Sequence, residues 1–175
     1  SACIASSADE FRLAMIAVEQ TLKVTPSTTA LADAQAAFHK AMDAWQVSEV
    51  MQVGPAAPST AMGGGDLRDQ IYSWPLTNRC AIEELLVSKG YEAGVGHLLI
   101  NRRGLYALEY LLFYEGTETA CPATSPIVSS GSWAALSPAD RQVRRWVYAG
   151  KVAGDVRVHA ESLVLAARVI RADGS

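Results

Sequence analysis

The sequence predicts an all-α fold, an up-and-down helical bundle with broken helices and long loops, over one domain spanning 1–175. Three observations carry this expectation. Half of the 175 residues are hydrophobic and alanine outnumbers valine and isoleucine together; three long segments repeat apolar residues at spacings of three and four; and no segment alternates apolar and polar residues as a half-buried strand would.

The first helix is expected from about Ser7 to Lys23, where Phe11, Met15, Val18 and Leu22 make one apolar stripe. "TPSTT" breaks the chain and supplies an N-cap for a second helix, from about Thr29 to Val50, carrying Leu31, Ala34, Phe38, Met42 and Trp45 on one face. Gly54 and Pro55 end it, and "GPAAPSTAMGGGD" reads as a loop of about 53–66. Short helices are expected around Asp66 to Trp74, Asn78 to Ser88 and Gly104 to Tyr114, interrupted by Pro75 and by "GYEAGVG". After a Pro- and Ser-rich loop of about 115–136, "SPAD" reads as an N-cap with proline at the first helical position. It opens the longest helix, to about Arg171, whose seam of Trp146, Ala149, Ala153, Val156, Ala160, Leu163, Ala167 and Ile170 is small enough for a neighbouring helix to approach closely.

A formal charge of −3 supplies no basic field for nucleic acid, and Arg141, Arg144 and Arg145 sit on a mixed-charge helix. No run reaches the roughly 18 apolar residues that span a bilayer. The opening "SAC" has two readings, an arbitrary start or the end of a lipoprotein signal whose Cys3 becomes acylated. Cys80 opens a helical segment and Cys121 lies in the long irregular "TETACPATSP", which a cross-link would staple, so a Cys80–Cys121 disulfide in an oxidising compartment is the expected pairing.

Two glutamates are the most informative candidates. Continuing the second helix's stripe by four residues reaches Glu49, and "GLYALEYLLF" places Glu109 three residues after Tyr106, on a shared helix face inside an apolar segment. An inward carboxylate costs several kcal/mol unless it is paired, hydrogen-bonded, protonated or metal-bound. Arginines near these segments, Arg68, Arg79, Arg102 and Arg103, offer charge, whereas carboxylates on facing helices are also the usual ligands of iron or manganese. An internal Glu–Arg or Glu–Tyr network and a metal site stay open at this point. His39, His97 and His159 show no HxxxH or HExxH spacing, and neither a GxSxG elbow nor a GxxxxGK[ST] loop is present.

Several segments in order resemble the imelysin-like family of exported bacterial proteins, which includes an insulin-cleaving peptidase and iron-regulated proteins: "AWQVSEVMQVGP", "IYSWPLTNRCAIEE", "RRGLYALEYLLF" and "YAGKVAGDV". The resemblance implies a double four-helix-bundle fold of which this chain is the first half, with a second chain or a C-terminal half as partner. It also implies a location in the periplasm or at the outer membrane and a role in iron uptake or its regulation. The family signature GxHxxE, whose histidine and glutamate were proposed as metal ligands, falls on Gly104, Tyr106 and Glu109, with tyrosine in the histidine's place. A phenol is a poor ligand for most divalent ions but a reasonable one for ferric iron as phenolate, and zinc hydrolysis needs three protein ligands with an open water position.

The resemblance thus implies a non-catalytic binding protein with Glu49, Arg103, Tyr106 and Glu109 at its site, Glu49 and Glu109 being the carboxylates for an iron or other divalent ion. A metal-dependent peptidase and a purely structural or interaction bundle are the alternatives.

Overall fold

The computed structural model describes the backbone of residues 2–50 and 54–173 and the side chains of 5–50 and 54–168. Within these residues every regular element is helical: α1 (Ala2–Thr21), α2 (Thr28–Glu49), α3 (Leu67–Ile71), α4 (Arg79–Ser88), α5 (Leu105–Phe113), α6 (Pro126–Ser129) and α7 (Pro138–Asp173), with short 3-10 turns at Gly54–Ala56 and Ile100–Arg102. The α2 cap is Ser27, whose hydroxyl accepts from Ala30 N at 3.1 Å, and Asn78 caps α4 through Ala81 N. The predicted loop of 115–136 contains α6, one turn started by Pro126, and the expected helix of 66–74 stops at Ile71 because the chain turns extended at Tyr72.

The long helices α1, α2 and α7 and the short α5 share one core. The α1 and α2 helices form a hairpin, and α7 runs antiparallel to α1, since Leu22 sits beside Gly150 while Glu19 binds Arg157 at 2.6 Å. The α1 stripe is buried as expected at Phe11, Met15, Val18 and Leu22, and so is the α7 seam from Trp146 to Ala167; the Ile170 side chain lies outside the described residues, as does that of Cys3. In α2 the core line is Ala30, Ala34, Phe38, Ala41 and Trp45, with Leu31 and Met42 only half-buried at its edges. Stepping three residues from Trp45 therefore leads to Ser48, not four to Glu49. Ser48 is buried, its hydroxyl turned back onto Ala44 O at 3.1 Å, and Glu49 falls at the rim.

The arginines at the start of α7 point inward rather than lining a solvated face. Arg141 donates to Leu136 O and Thr117 O, Arg144 to Leu86 O and Val87 O at the free C-terminal end of α4, and Arg145 to Tyr114 O and Gly116 O. Arg141 and Arg145 also lie over the rings of Trp133 and Tyr114. Long loops have carbonyls without ladder partners, and guanidinium groups reach several at once. The segment before α5 is fixed to α7 in the same way, by Tyr91 stacked on Tyr148 at 4.8 Å and by Tyr148 Oη donating to Arg102 O at 2.5 Å. Burial pushes the Tyr148 phenol well above its ordinary pKa.

A groove built on Tyr106 and Glu109

Helix α5 begins where the backbone can turn only through glycine. Gly104 has φ +84° and ψ 179°, and a Cβ there would come within 3.0 Å of Ile71 O and 3.1 Å of Ser73 Oγ. The α3 end thus lies against the α5 start, with Ser73 Oγ donating to Arg103 O at 2.8 Å. From this start Leu105, Ala107, Leu108, Leu111 and Leu112 enter the core, and the opposite face carries Tyr106, half-buried, and Glu109, exposed. Glu109 is therefore not the inward carboxylate that the apolar run suggested: α5 is short, and its outer face belongs to a groove rather than to the bundle's interior.

That groove has a volume of about 250 Å³ and is lined by Arg79, Tyr106, Glu109, Tyr110, Phe113 and Tyr114. The side chains of Tyr106, Glu109 and Arg79 make no hydrogen bond or ion pair with any described residue. Phe113 lies 5.1 Å from the His39 ring and 5.5 Å from Phe38, which brings α2 to the groove's far end. Tyr72 joins the groove to Glu49: its phenol is pushed above the ordinary value first by burial, then by the negative charges of Glu49 and Glu109, against the lowering effect of Arg68.

The four site residues expected from sequence separate into three environments. Tyr106 and Glu109 come together, neither side chain bonded to a described residue. Glu49 is at the neighbouring rim and already bonded, receiving Arg68 Nε at 2.9 Å and Nη2 at 2.7 Å on a single oxygen, while Arg68 also binds Asp69 and Trp74 O. Arg103 is elsewhere, buried, its guanidinium donating to Leu98 O, to Asp155 Oδ2 at 3.0 Å, to His159 Nε2 at 3.1 Å and to Gln70 Oε1. Desolvation lowers the His159 pKa, opposed by Asp155 and aided by Arg103.

Among the described residues the buried carboxylate is Glu83. It accepts from Tyr110 Oη at 2.5 Å, Thr119 Oγ1 at 2.5 Å and Ala120 N at 2.9 Å, tying α4 to α5 and to the loop before Cys121. Burial first, then the bond to Glu83, raises the Tyr110 phenol pKa far above its ordinary value. Beside it the expected disulfide joins Cys80 to Cys121, with Cα atoms 4.5 Å apart. Sequence spacing offered little signal for Glu83, because its partners come from 27 and 36 residues away. Two adjacent glutamates, Glu83 and Glu84, gave no sign of which turned inward.

The family model described as Imelysin matches residues 6–168, nearly the whole chain. The chain belongs to the imelysin family. No curated protein and no solved structure matches it significantly. The all-helical bundle of this imelysin chain agrees with the fold expected of the family. No helix of the described residues is long and apolar enough to cross a membrane.

The donors at the groove suit one kind of metal chemistry and not another. Carboxylate and phenol are hard oxygen donors that fit ferric iron. Zinc hydrolysis asks for three protein ligands around one water, and among the described residues three His, Cys, Asp or Glu donors gather only at Cys80, Glu84 and Cys121, not at Glu109.

Proposed function

We propose that this imelysin-family protein is an exported, non-catalytic binding protein acting in iron acquisition or its regulation, and that its ligand enters the groove of Tyr106 and Glu109. The observation that carries the reading is the pair itself: an exposed carboxylate and a half-buried phenol, neither bonded to any described residue, on one face of α5. A ferric ion would take Glu109 and the Tyr106 phenolate, with Glu49 able to join only if Arg68 releases it. The disulfide supports residence in an oxidising compartment, the periplasm or the outer-membrane surface. Acylation of Cys3 would anchor the chain there. Exposed Val47 and Val50 at the end of α2, close to the rim that holds Glu49, support a further helical unit, a C-terminal half or a second chain, as the partner that covers this side.

Titration with a soluble ferric chelate tests the reading. A visible phenolate-to-iron charge-transfer band is expected, absent in Tyr106→Phe and weakened in Glu109→Gln, with thermal stabilisation of about 2.7 kcal/mol at one hundred times the dissociation constant. A wild-type protein without band or stabilisation overturns the iron site. Chelator-sensitive cleavage of a denatured polypeptide, lost in Glu109→Gln, overturns the non-catalytic assignment.

The closed Arg68–Glu49 pair favours a second reading, a structural or interaction bundle in which these groups order the broken helices. It predicts no metal-dependent change in melting temperature.

A further inference from the structure

Away from the groove of Tyr106 and Glu109, donors of a different character converge from two segments. Cys80 stands in the first turn of α4, Glu84 one turn later on the same face, and Cys121 on the loop that crosses them; one ligand atom from each lies within 4.8 Å of the others. We propose that the Cys80–Cys121 disulfide is the oxidised form of a metal site, whose reduction releases two thiolates that hold a thiophilic divalent cation of the zinc type together with Glu84.

The Glu84 carboxylate is already divided between the two tasks such a site requires. Its Oε1 faces inward, 4.0 Å from Cys80 Sγ and 3.5 Å from the Ser125 hydroxyl, which donates to it, while Oε2 faces Arg102 Nη2 at 3.7 Å. Ligand atoms around one zinc ion lie about 3.6–3.8 Å apart for sulfur–oxygen and sulfur–sulfur pairs, given bonds of about 2.3 Å to sulfur and about 2.1 Å to oxygen in a tetrahedron. Glu84 Oε1, 4.0 Å from Cys80 Sγ, is already within about half an ångström of that spacing, and reduction frees the two sulfurs to separate to it. Rotation of the Cys121 side chain supplies that separation, Cys80 and Glu84 being held by α4.

Charge also closes. Two thiolates, a carboxylate and a divalent ion sum to −1, and the Arg102 guanidinium beside Glu84 offsets it. Arg102 and Ser125 are the second layer of bonds that orients a ligating carboxylate. Three protein ligands leave the fourth tetrahedral position to solvent. Access exists through the cleft of about 620 Å³ lined by Asn78, Arg79, Cys80, Thr119 and Ala120.

The chemistry balances with a dithiol as reductant. Two electrons and two protons pass from the dithiol to the Cys80–Cys121 bond, giving two thiols as the donor closes to its own disulfide. The incoming cation then displaces both thiol protons to solvent.

The test uses the full chain with Cys3→Ser, so that only two thiols report, reduced anaerobically on an immobilised dithiol and titrated with cobalt(II). One equivalent is expected to give a near-ultraviolet thiolate-to-cobalt band, displaced by zinc, and absent from the oxidised protein. Glu84→Gln should weaken binding at least tenfold, and Cys121→Ser should abolish the band. No band in the reduced protein, or unchanged affinity in Glu84→Gln, overturns the site. Circular dichroism guards against an unfolded chain: a reduced protein that has lost its helical signal and does not regain it with cobalt overturns the proposal as well. Because ferric titration of the oxidised protein never engages these sulfurs, failure here and failure of the iron-binding reading are separate outcomes.

Discussion

Arg68 delivers two N–H groups to the same oxygen of Glu49, at 2.9 and 2.7 Å. The pair is about one-fifth exposed on each side, and its charge compensation decides whether Glu49 remains a structural anion or becomes a ligand. Arg68 also lies over the Tyr72 ring at 5.4 Å, and the Tyr72 phenol is influenced by the charges of both Glu49 and Glu109. Replacing Arg68 by Met, which keeps the aliphatic stem, should cost no more than about 1 kcal/mol of stability. If Glu49 can join a ferric site, the same variant should bind ferric iron about fivefold more tightly; unchanged affinity would remove Glu49 from the site. Ferric titration monitored by the phenolate band makes the comparison.

Gly104 holds the entry to α5 at φ +84°, where any side chain is strained, and an added Cβ would press on Ile71 O and Ser73 Oγ. Gly104→Ala should therefore destabilise by about 1–3 kcal/mol. Urea denaturation would show this as a lower midpoint. A neutral result would mean that α3 and α5 are not in contact as described.

Tyr110 donates to the fully buried Glu83 carboxylate. A hydrogen bond to a charged group contributes about 1.5–3 kcal/mol, so Tyr110→Phe should lose that amount, and Glu83→Ala more, since Thr119 Oγ1 and Ala120 N would be orphaned together. Tyr110 also lines the groove, but it presents ring rather than hydroxyl to it if the Glu83 bond is intact. Iron affinity should accordingly stay within about twofold in Tyr110→Phe while the denaturation midpoint falls.

His159 is half-buried against Arg103 and Asp155, and desolvation holds its pKa below the ordinary value of 6.5. The folded protein therefore binds fewer protons there than the unfolded chain. The stability this contributes is fully present above 6.5 and is lost as pH falls through the depressed folded value. Denaturant midpoints measured from about pH 7.5 downward should decline in the wild type and decline less in His159→Gln. Equal slopes would show that His159 does not titrate differently in the two states.

The residues that periodicity could place were placed because burial of a long helix depends on its own spacing. The α1 stripe and the α7 seam lie in the core where three-and-four spacing put them, Ser27 and Asn78 cap helix starts through local bonds, and Pro138 is the first residue of α7. The staple at Cys80–Cys121 was legible for a related reason: a long irregular loop with one cysteine has few ways to be tied down. The Tyr106–Glu109 pairing on one face also followed from spacing alone.

Whether a carboxylate is buried was not legible, because it depends on what covers a face and not on what flanks it. In α2 a shift of one residue in the core line put Ser48 inside and Glu49 at the rim, within reach of Arg68 from α3. In α5 no helix of the described residues covers Glu109, while Glu83 is sealed by a tyrosine and a loop that are distant in sequence. Arg103 was drawn away from the groove by Asp155 and His159, which α7 carries 52 and 56 residues further on. Sequence by itself determined the helices, their inner faces, the disulfide and a tyrosine standing where the family signature has histidine. Tertiary structure alone decided which charges are paired, since desolvation and Coulomb attraction act through space between segments that sequence spacing does not relate.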